Sequence, residues 1–198
     1  MRVIAGRAGG VRLVSPKAGV RPTMDRVKAA IFSSLGDVII GARVLDLFAG
    51  TGALGIEALS RGAASVVFVD EGRQSITAIE KNLAKAKLTG VIREQDAFDF
   101  LKRAAHLGDR FRIIFADPPY DQMKSGERFT EKLLADVALS RVVESDGIFV
   151  LEKRPSERMP ETKLWQIDRQ KTYGATEVLF LSAMRERQSG SDPRAATE

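Results

Sequence analysis

The stretch Arg43-Val44-Leu45-Asp46-Leu47-Phe48-Ala49-Gly50-Thr51-Gly52-Ala53-Leu54-Gly55 decides the fold. Arg43–Phe48 is apolar apart from Arg43 and Asp46, which suits a strand covered on both faces, as in a parallel sheet. The glycines that follow let the backbone turn sharply and approach a ligand that any side chain would hold away. Gly50-Thr51-Gly52-Ala53-Leu54-Gly55 then satisfies G-x-G-x-x-G at the entry to a helix, the pattern of a loop that cradles an adenosine-bearing cofactor. Asp46, Phe48, Gly50, Thr51 and Gly52 are therefore candidate cofactor residues. Alone, the loop does not separate NAD from S-adenosylmethionine, and it also suits a tight strand-to-helix turn that holds no ligand.

Downstream of this loop the pattern alternates. A helix through Ser60 leads to a strand at Ser65–Val69, and Arg73–Leu88 carries Ile76, Ile79 and Leu83 on one helical face. A strand at Val91–Glu94, a helix at Ala97–Ala105, a strand at Arg112–Ala116, a helix at Glu127–Leu139 and a strand at Ile148–Glu152 follow. The rhythm then changes to two strands, Lys163–Gln170 and Glu177–Ser182, joined through Tyr173-Gly174. The fold class is α/β: a doubly wound, Rossmann-like, mostly parallel sheet with a C-terminal antiparallel strand and a small basic N-terminal extension. The expected division is a basic arm and helix over 1–36, the main domain over 37–184, and a disordered tail over 185–198, which has little to bury.

Upstream, residues 1–22 are rich in Gly and Arg and read as an extended hairpin, with Thr23 as N-cap of a helix whose face is Val27, Ala30, Ile31, Ser34 and Leu35. Charge is concentrated there. Of the net +5 over 198 residues, residues 1–30 hold seven bases (Arg2, Arg7, Arg12, Lys17, Arg21, Arg26 and Lys28) against Asp25 alone, while the remainder holds 24 bases and 25 acids. Such asymmetry suits a polyanion, so these seven are candidate RNA contacts; a solvated basic leader explains the composition equally well. The chain has no cysteine and one histidine, His106, which excludes disulfides, cysteine nucleophiles, cysteine zinc sites and a histidine-rich metal site. No metal is expected. With no apolar run long enough to span a bilayer and no secretory signal, a cytoplasmic protein without a membrane partner is the expectation, with a monomer as the default.

In a doubly wound sheet, ligands bind at the carboxyl ends of the strands. Asp70, followed by Glu71, ends the second strand, where a carboxylate can accept hydrogen bonds from ribose hydroxyls. Gln95-Asp96-Ala97 follows the third strand; Asp96 can accept from an adenine amine, although an Asp before a helix also serves as an N-cap. The most specific signal is Asp117-Pro118-Pro119-Tyr120 after the Arg112–Ala116 strand. Paired prolines stiffen the turn and remove two N–H donors. Asp117 and the Pro118 carbonyl can each accept one N–H of an exocyclic aryl amine, turning its lone pair toward an electrophilic methyl group. Tyr120 offers a face on which an extruded base stacks. The alternative is a rigid loop start with no chemistry.

On these residues the chain resembles the class I methyltransferases and, within them, the RsmD-type small-subunit rRNA guanine-N2 methyltransferases. The resemblance runs over residues 1–182 and rests on Arg21–Arg26, Val44–Gly55 with Glu57–Ala63, Asp117–Tyr120, and Lys171-Thr172-Tyr173-Gly174. It implies an S-adenosylmethionine cofactor and methylation of a guanine N2 amine in 16S rRNA, at guanine 966. The partner it implies is small-subunit rRNA or the assembling subunit. Asp70 stands where family members usually carry Glu. Adenine-N6 methylation is the alternative within the same chemistry; an NAD-dependent oxidoreductase and a non-catalytic RNA-binding module are alternatives of other classes.

Overall fold

The computed structural model describes residues 1–15, 22–119 and 128–184. After α1 (Pro22–Leu35) and a single 3-10 turn (Gly36–Ile39) come β1 (Arg43–Leu47), α2 (Ala53–Ser60), β2 (Ser65–Asp70), α3 (Arg73–Ala86), β3 (Val91–Glu94), α4 (Ala97–Leu107) and β4 (Phe111–Ala116). The chain ends with α5 (Phe129–Ala135), α6 (Val137–Val142), β5 (Val143–Lys153), β6 (Trp165–Tyr173) and β7 (Thr176–Ala183). The seven strands order as β3-β2-β1-β4-β5-β7-β6. The first five run parallel. β7 runs antiparallel to both β5 and β6.

The hairpin therefore adds two strands, with β7 wedged between β5 and the edge strand β6, where the sequence suggested one antiparallel addition. Burial explains the choice. β7 carries Val178, Leu179, Phe180 and Leu181, all buried, whereas β6 beyond Trp165 is largely polar and exposed. The helix expected over 127–139 is two short helices, broken at Asp136, whose carboxylate accepts from Leu139 N at 2.9 Å and so caps the second. Thr23 lies inside α1 instead of capping it, because the helix already starts at Pro22, whose fixed φ suits a first turn.

Apolar side chains cover both faces of the sheet. One core holds Val44, Phe68, Ile113, Phe115 and Val150 beneath α1, α2 and α3; the other holds Leu45, Leu47, Ile114, Phe149 and Leu151 beneath α4 and the α5–α6 pair. Each fully buried Phe contributes on the order of 1.5–3 kcal/mol. The arm belongs to the first core, since Val3, Ala8 and Leu13 are buried within it. It folds back on itself through one antiparallel bridge, Arg2 to Arg12, closed by Val3 N donating to Val11 O at 2.9 Å and Gly10 N to Val3 O at 2.8 Å. Strand order reverses between β1 and β4, the position where doubly wound sheets open a ligand crevice.

Candidate active site

The glycine loop leaves β1 at that reversal. Phe48 sits at φ 54°, a conformation that costs a non-glycine residue about 1–3 kcal/mol and that tends to persist at functional sites. Gly50 (φ 55°) and Gly52 (φ 73°) continue the left-handed path. The left-handed angle at Gly52 favours glycine, and a Cβ there would also crowd Ile79, Ile56 and Phe68 at 3.2–3.3 Å. Asp70, at the end of β2, braces the loop: one carboxylate oxygen accepts from Gly50 N and the other from Gly72 N, both at 2.8 Å. Each oxygen keeps a lone pair for a ligand hydroxyl. Glu71 beside it is exposed. Asp96 caps α4 by accepting from Asp99 N at 2.9 Å, and the same carboxylate stands at the β3 end of the edge. Next to Ala97, Phe98 packs with Phe48 and Phe129 in a half-buried aromatic trio, with centroids 5.4–6.4 Å apart.

Across the reversal, β1 pairs with β4 so that Leu47 faces Ala116, which brings Asp117 beside the start of the loop. β4 pairs with β5 so that Ala116 faces Leu151, which makes Glu152 the next neighbour of Asp117. Pro118 is buried and Pro119 exposed; Tyr120 lies outside the described residues. Asp117 is exposed at the end of β4, between the ends of β1 and β5. That setting raises its carboxyl to about 6 through loss of hydration. Asp46 is buried, and burial, aided by the charges of Asp117 and Asp70, pushes it up to about 8 although Gly55 N donates to it at 2.9 Å. Burial first, then Asp117 and Asp46, raises Glu152 well above the carboxylate range. Among the described residues, no Lys or Arg forms an ion pair with any of the three.

A glycine loop, a carboxylate at the end of β2, an aromatic cluster and a set of carboxyls without an ion-paired cation together suit a ligand with an adenosine half and a cationic half. S-adenosylmethionine is such a molecule, with its sulfonium and ammonium groups. NAD, whose pyrophosphate is anionic, would meet a cluster of carboxyls with no ion-paired cation among the described residues. Among the described residues there is no group of His, Cys, Asp and Glu able to hold a metal ion, and no helix is long and apolar enough to cross a membrane.

The basic arm divides into two groups. Arg2, Arg7, Arg12 and Arg26 are exposed, whereas Lys17 and Arg21 lie outside the described residues. Lys28 corrects the sequence reading: it is buried, ion-paired with Glu57 Oε2 at 3.0 Å and donating to Arg2 O at 2.6 Å, so it has no face to offer RNA. Glu57 itself, fully buried on α2, accepts from Ile4 N at 2.7 Å, Ala5 N at 3.0 Å and Arg61 Nε at 2.7 Å. Ser60 Oγ accepts from Ala8 N at 2.9 Å and donates to Ala5 O at 2.5 Å. Glu57 to Arg61 is thus an anchor for the arm. Gly6 makes the approach possible, because a Cβ there would lie 1.9 Å from Ser60 O and its φ is 80°.

Glu152, Phe98 and Phe129 were not singled out from the sequence. Glu152 follows an apolar run with no motif around it, and only the β4–β5 register puts it at the site. The Phe98 position, one residue past Asp96 in the first turn of α4, was the readable signal.

Residues 1–182 match the family model described as Conserved hypothetical protein 95. The chain is 40% identical over 183 residues to the Bacillus subtilis protein named "Putative rRNA methyltransferase YlbH", covering 90% of this chain and 96% of that one. It is 34% identical over 195 residues to "Ribosomal RNA small subunit methyltransferase D" of Escherichia coli, covering 97% and 93% respectively. Among solved structures, the "Putative methyltransferase yhhF" of Escherichia coli superposes with a TM-score of 0.78 at 31% identity, over 94% of this chain and 99% of that one. A likeness of fold alone, at TM-score 0.64 and 23% identity over 86% of this chain and 45% of that one, links it to a Thermus thermophilus 16S rRNA N2 G1207 methyltransferase solved with AdoMet and guanosine.

Proposed function

The chain belongs to the family described as Conserved hypothetical protein 95, and on that premise we propose that it is an S-adenosylmethionine-dependent methyltransferase of small-subunit rRNA acting on a guanine N2 amine. The observation that carries the reading is the Asp117-Pro118-Pro119 turn at the sheet's reversal edge, beside the Gly50–Gly52 cradle. S-adenosylmethionine is the cofactor; it supplies a methyl group made electrophilic by a cationic sulfonium. Gly50, Thr51 and Gly52 hold it by backbone, Asp70 takes its ribose, Asp96 and the Phe48–Phe98 pocket its adenine, and Asp46 lies on its cationic side.

Asp117 and the Pro118 carbonyl accept the two amine hydrogens, hold the amine near-tetrahedral and turn its lone pair toward the methyl donor. The amine that gains a methyl sheds a proton, and Asp117, raised to about 6, is a carboxylate suited to receive it near neutral pH. Glu152 suits a guanine edge. Guanine presents two adjacent donors, N1–H and N2–H, and Glu152 gives Asp117 an acceptor on the next strand. The basic arm, with Arg2, Arg7, Arg12 and Arg26 exposed, holds the phosphate backbone. Likeness to the small-subunit enzymes supports guanine 966 as the target, in the cytoplasm during subunit assembly.

Small-subunit particles from cells lacking the protein, incubated with the protein and S-adenosylmethionine, are then digested and their nucleosides identified by mass spectrometry. The expected product is N2-methylguanosine at one position of 16S rRNA. N6-methyladenosine would transfer the assignment to the adenine alternative, and S-adenosylmethionine failing to bind where NADH does would overturn the methyltransferase reading.

A further inference from the structure

A single buried side chain joins the arm to the cofactor cradle. Asn82, on α3, is fully buried. Its Oδ1 accepts from Val14 N at 2.6 Å, and its Nδ2 donates both to Val14 O at 3.0 Å and to Thr51 O at 2.9 Å. Both N–H bonds of the amide are therefore spent, one on the arm and one on the loop. Val14 is clasped at both its N–H and its carbonyl, as a neighbouring strand would clasp it. Thr51 is the residue between the two left-handed glycines of the cradle. A second contact runs the same way, Thr51 Oγ1 to Met1 S at 3.9 Å, and Met1 O accepts from Leu13 N at 3.1 Å.

The amide group is planar and rigid, so its three bonds are made or lost together. A rotation that releases Val14 also removes Thr51's partner, and loop motion that frees Thr51 leaves a buried N–H of Asn82 unpaired. Leaving a buried donor unpaired is unfavourable, so the two segments tend to be ordered together. The arm's other anchor, Glu57 and Ser60 on α2, is separate from this clasp and holds the arm in place without it.

We infer that Asn82 is a positioning residue that couples the RNA-holding arm to the cofactor loop, so that RNA and S-adenosylmethionine each tighten the other's binding. This rests on the function proposed above. RNA held by Arg2, Arg7 and Arg12 bears on the strand of the hairpin that carries Val14, Val14 holds the Asn82 amide, and the amide fixes the carbonyl of Thr51 with the backbone N–H groups of the cradle in binding position. Because the coupling is thermodynamic, it is reciprocal and equal in both directions.

Calorimetric titration of S-adenosylhomocysteine into the full-length protein, with and without saturating unmethylated small-subunit particles, measures the coupling. In the native protein RNA should tighten the nucleoside's binding roughly tenfold, in the ordinary range of such couplings. Asn82→Asp keeps the acceptor for Val14 N and removes both donors; it should bring the ratio to near unity and raise the cofactor KM while leaving kcat at saturation within about twofold. Val14→Pro removes the arm's N–H from the clasp without touching Asn82 and should abolish the ratio likewise. A ratio of unity in the native protein overturns the inference without any variant, as does a tenfold ratio that survives in Asn82→Asp. If the native protein neither binds nor methylates the particles, the functional reading fails instead; if it methylates them with independent binding, only the coupling fails.

Discussion

Glu57 and Asp46 are two buried carboxylates eleven positions apart, one on α2 and one on the strand that feeds it, and they are treated in opposite ways. Glu57 is surrounded by donors: two arm N–H groups, Lys28 and Arg61. Burial pushes its carboxyl up, but the Ile4 N–H and the two cations outweigh burial and hold it below the usual carboxylate range. Lys28 bears the cost of the arrangement, since burial lowers its ammonium in spite of Glu57. Asp46 has one backbone N–H and two acidic neighbours, and is pushed up to about 8. The contrast separates structure from function. A carboxylate that the fold satisfies holds the chain together; a strand-end carboxyl with no cation beside it is where a functional role is to be tested.

The sharpest way to break this contrast is to empty the satisfied site. Glu57→Ala strands Lys28 in the core and frees four donors, and should lower the folding free energy by about 3–5 kcal/mol in denaturant titration. A loss below about 1 kcal/mol would mean that the arm is held by its apolar contacts alone. At the functional edge, Asp117→Ala should leave cofactor affinity unchanged within a few-fold and lower kcat about 10²–10³-fold. With Asp117 raised to about 6, its acceptor form prevails above that pH, so native kcat should fall roughly tenfold per pH unit below about 6. Asp117→Asn keeps an acceptor oxygen that does not titrate and should lack that limb; a limb retained in the variant would assign it to another group. The smallest effect concerns Asp46. A carboxyl whose folded value is raised from 3.8 to about 8 loses stability as pH rises through that window, because the folded state holds a proton that the unfolded chain releases. Asp46→Asn preserves the acceptor for Gly55 N and removes that slope. It should match the native protein near pH 4, exceed it by on the order of 1 kcal/mol at pH 8 in thermal melts, and bind S-adenosylmethionine more weakly.

The arm is structural as well as basic. Deleting residues 1–20 looks from composition like a clean test of RNA binding, but it would expose the seats of Val3, Ala8 and Leu13 and remove the partners of Glu57. Substituting the exposed Arg2, Arg7 and Arg12 tests charge without dismantling the core.

Much of the candidate site was legible because it depends on short-range chemistry. Glycines at 50 and 52, carboxylates at 70 and 96 and the rigid segment at 117–119 each stand at or just past the end of a parallel strand, and strand ends in an alternating chain converge on one edge. Glu152 was illegible, since nothing local distinguishes a carboxylate after Leu151 from a surface residue. Lys28 was misread for the same kind of reason: a base in a basic stretch looks solvated until its partner, 29 positions on, is seen beneath it.

The sequence by itself determined the alternation of strands and helices, the glycine loop after β1 and the stiff Asp117-Pro118-Pro119 segment after β4, because these are set by hydrophobic period, by the backbone freedom of glycine and by the fixed φ of proline. Only the tertiary structure decided which charges are spent and which are available. Burial and register bring Glu57 to Lys28, Glu152 to Asp117, and Asn82 to both Val14 and Thr51. The energy of a charged or polar group depends on what long-range packing places around it, and no local pattern records that.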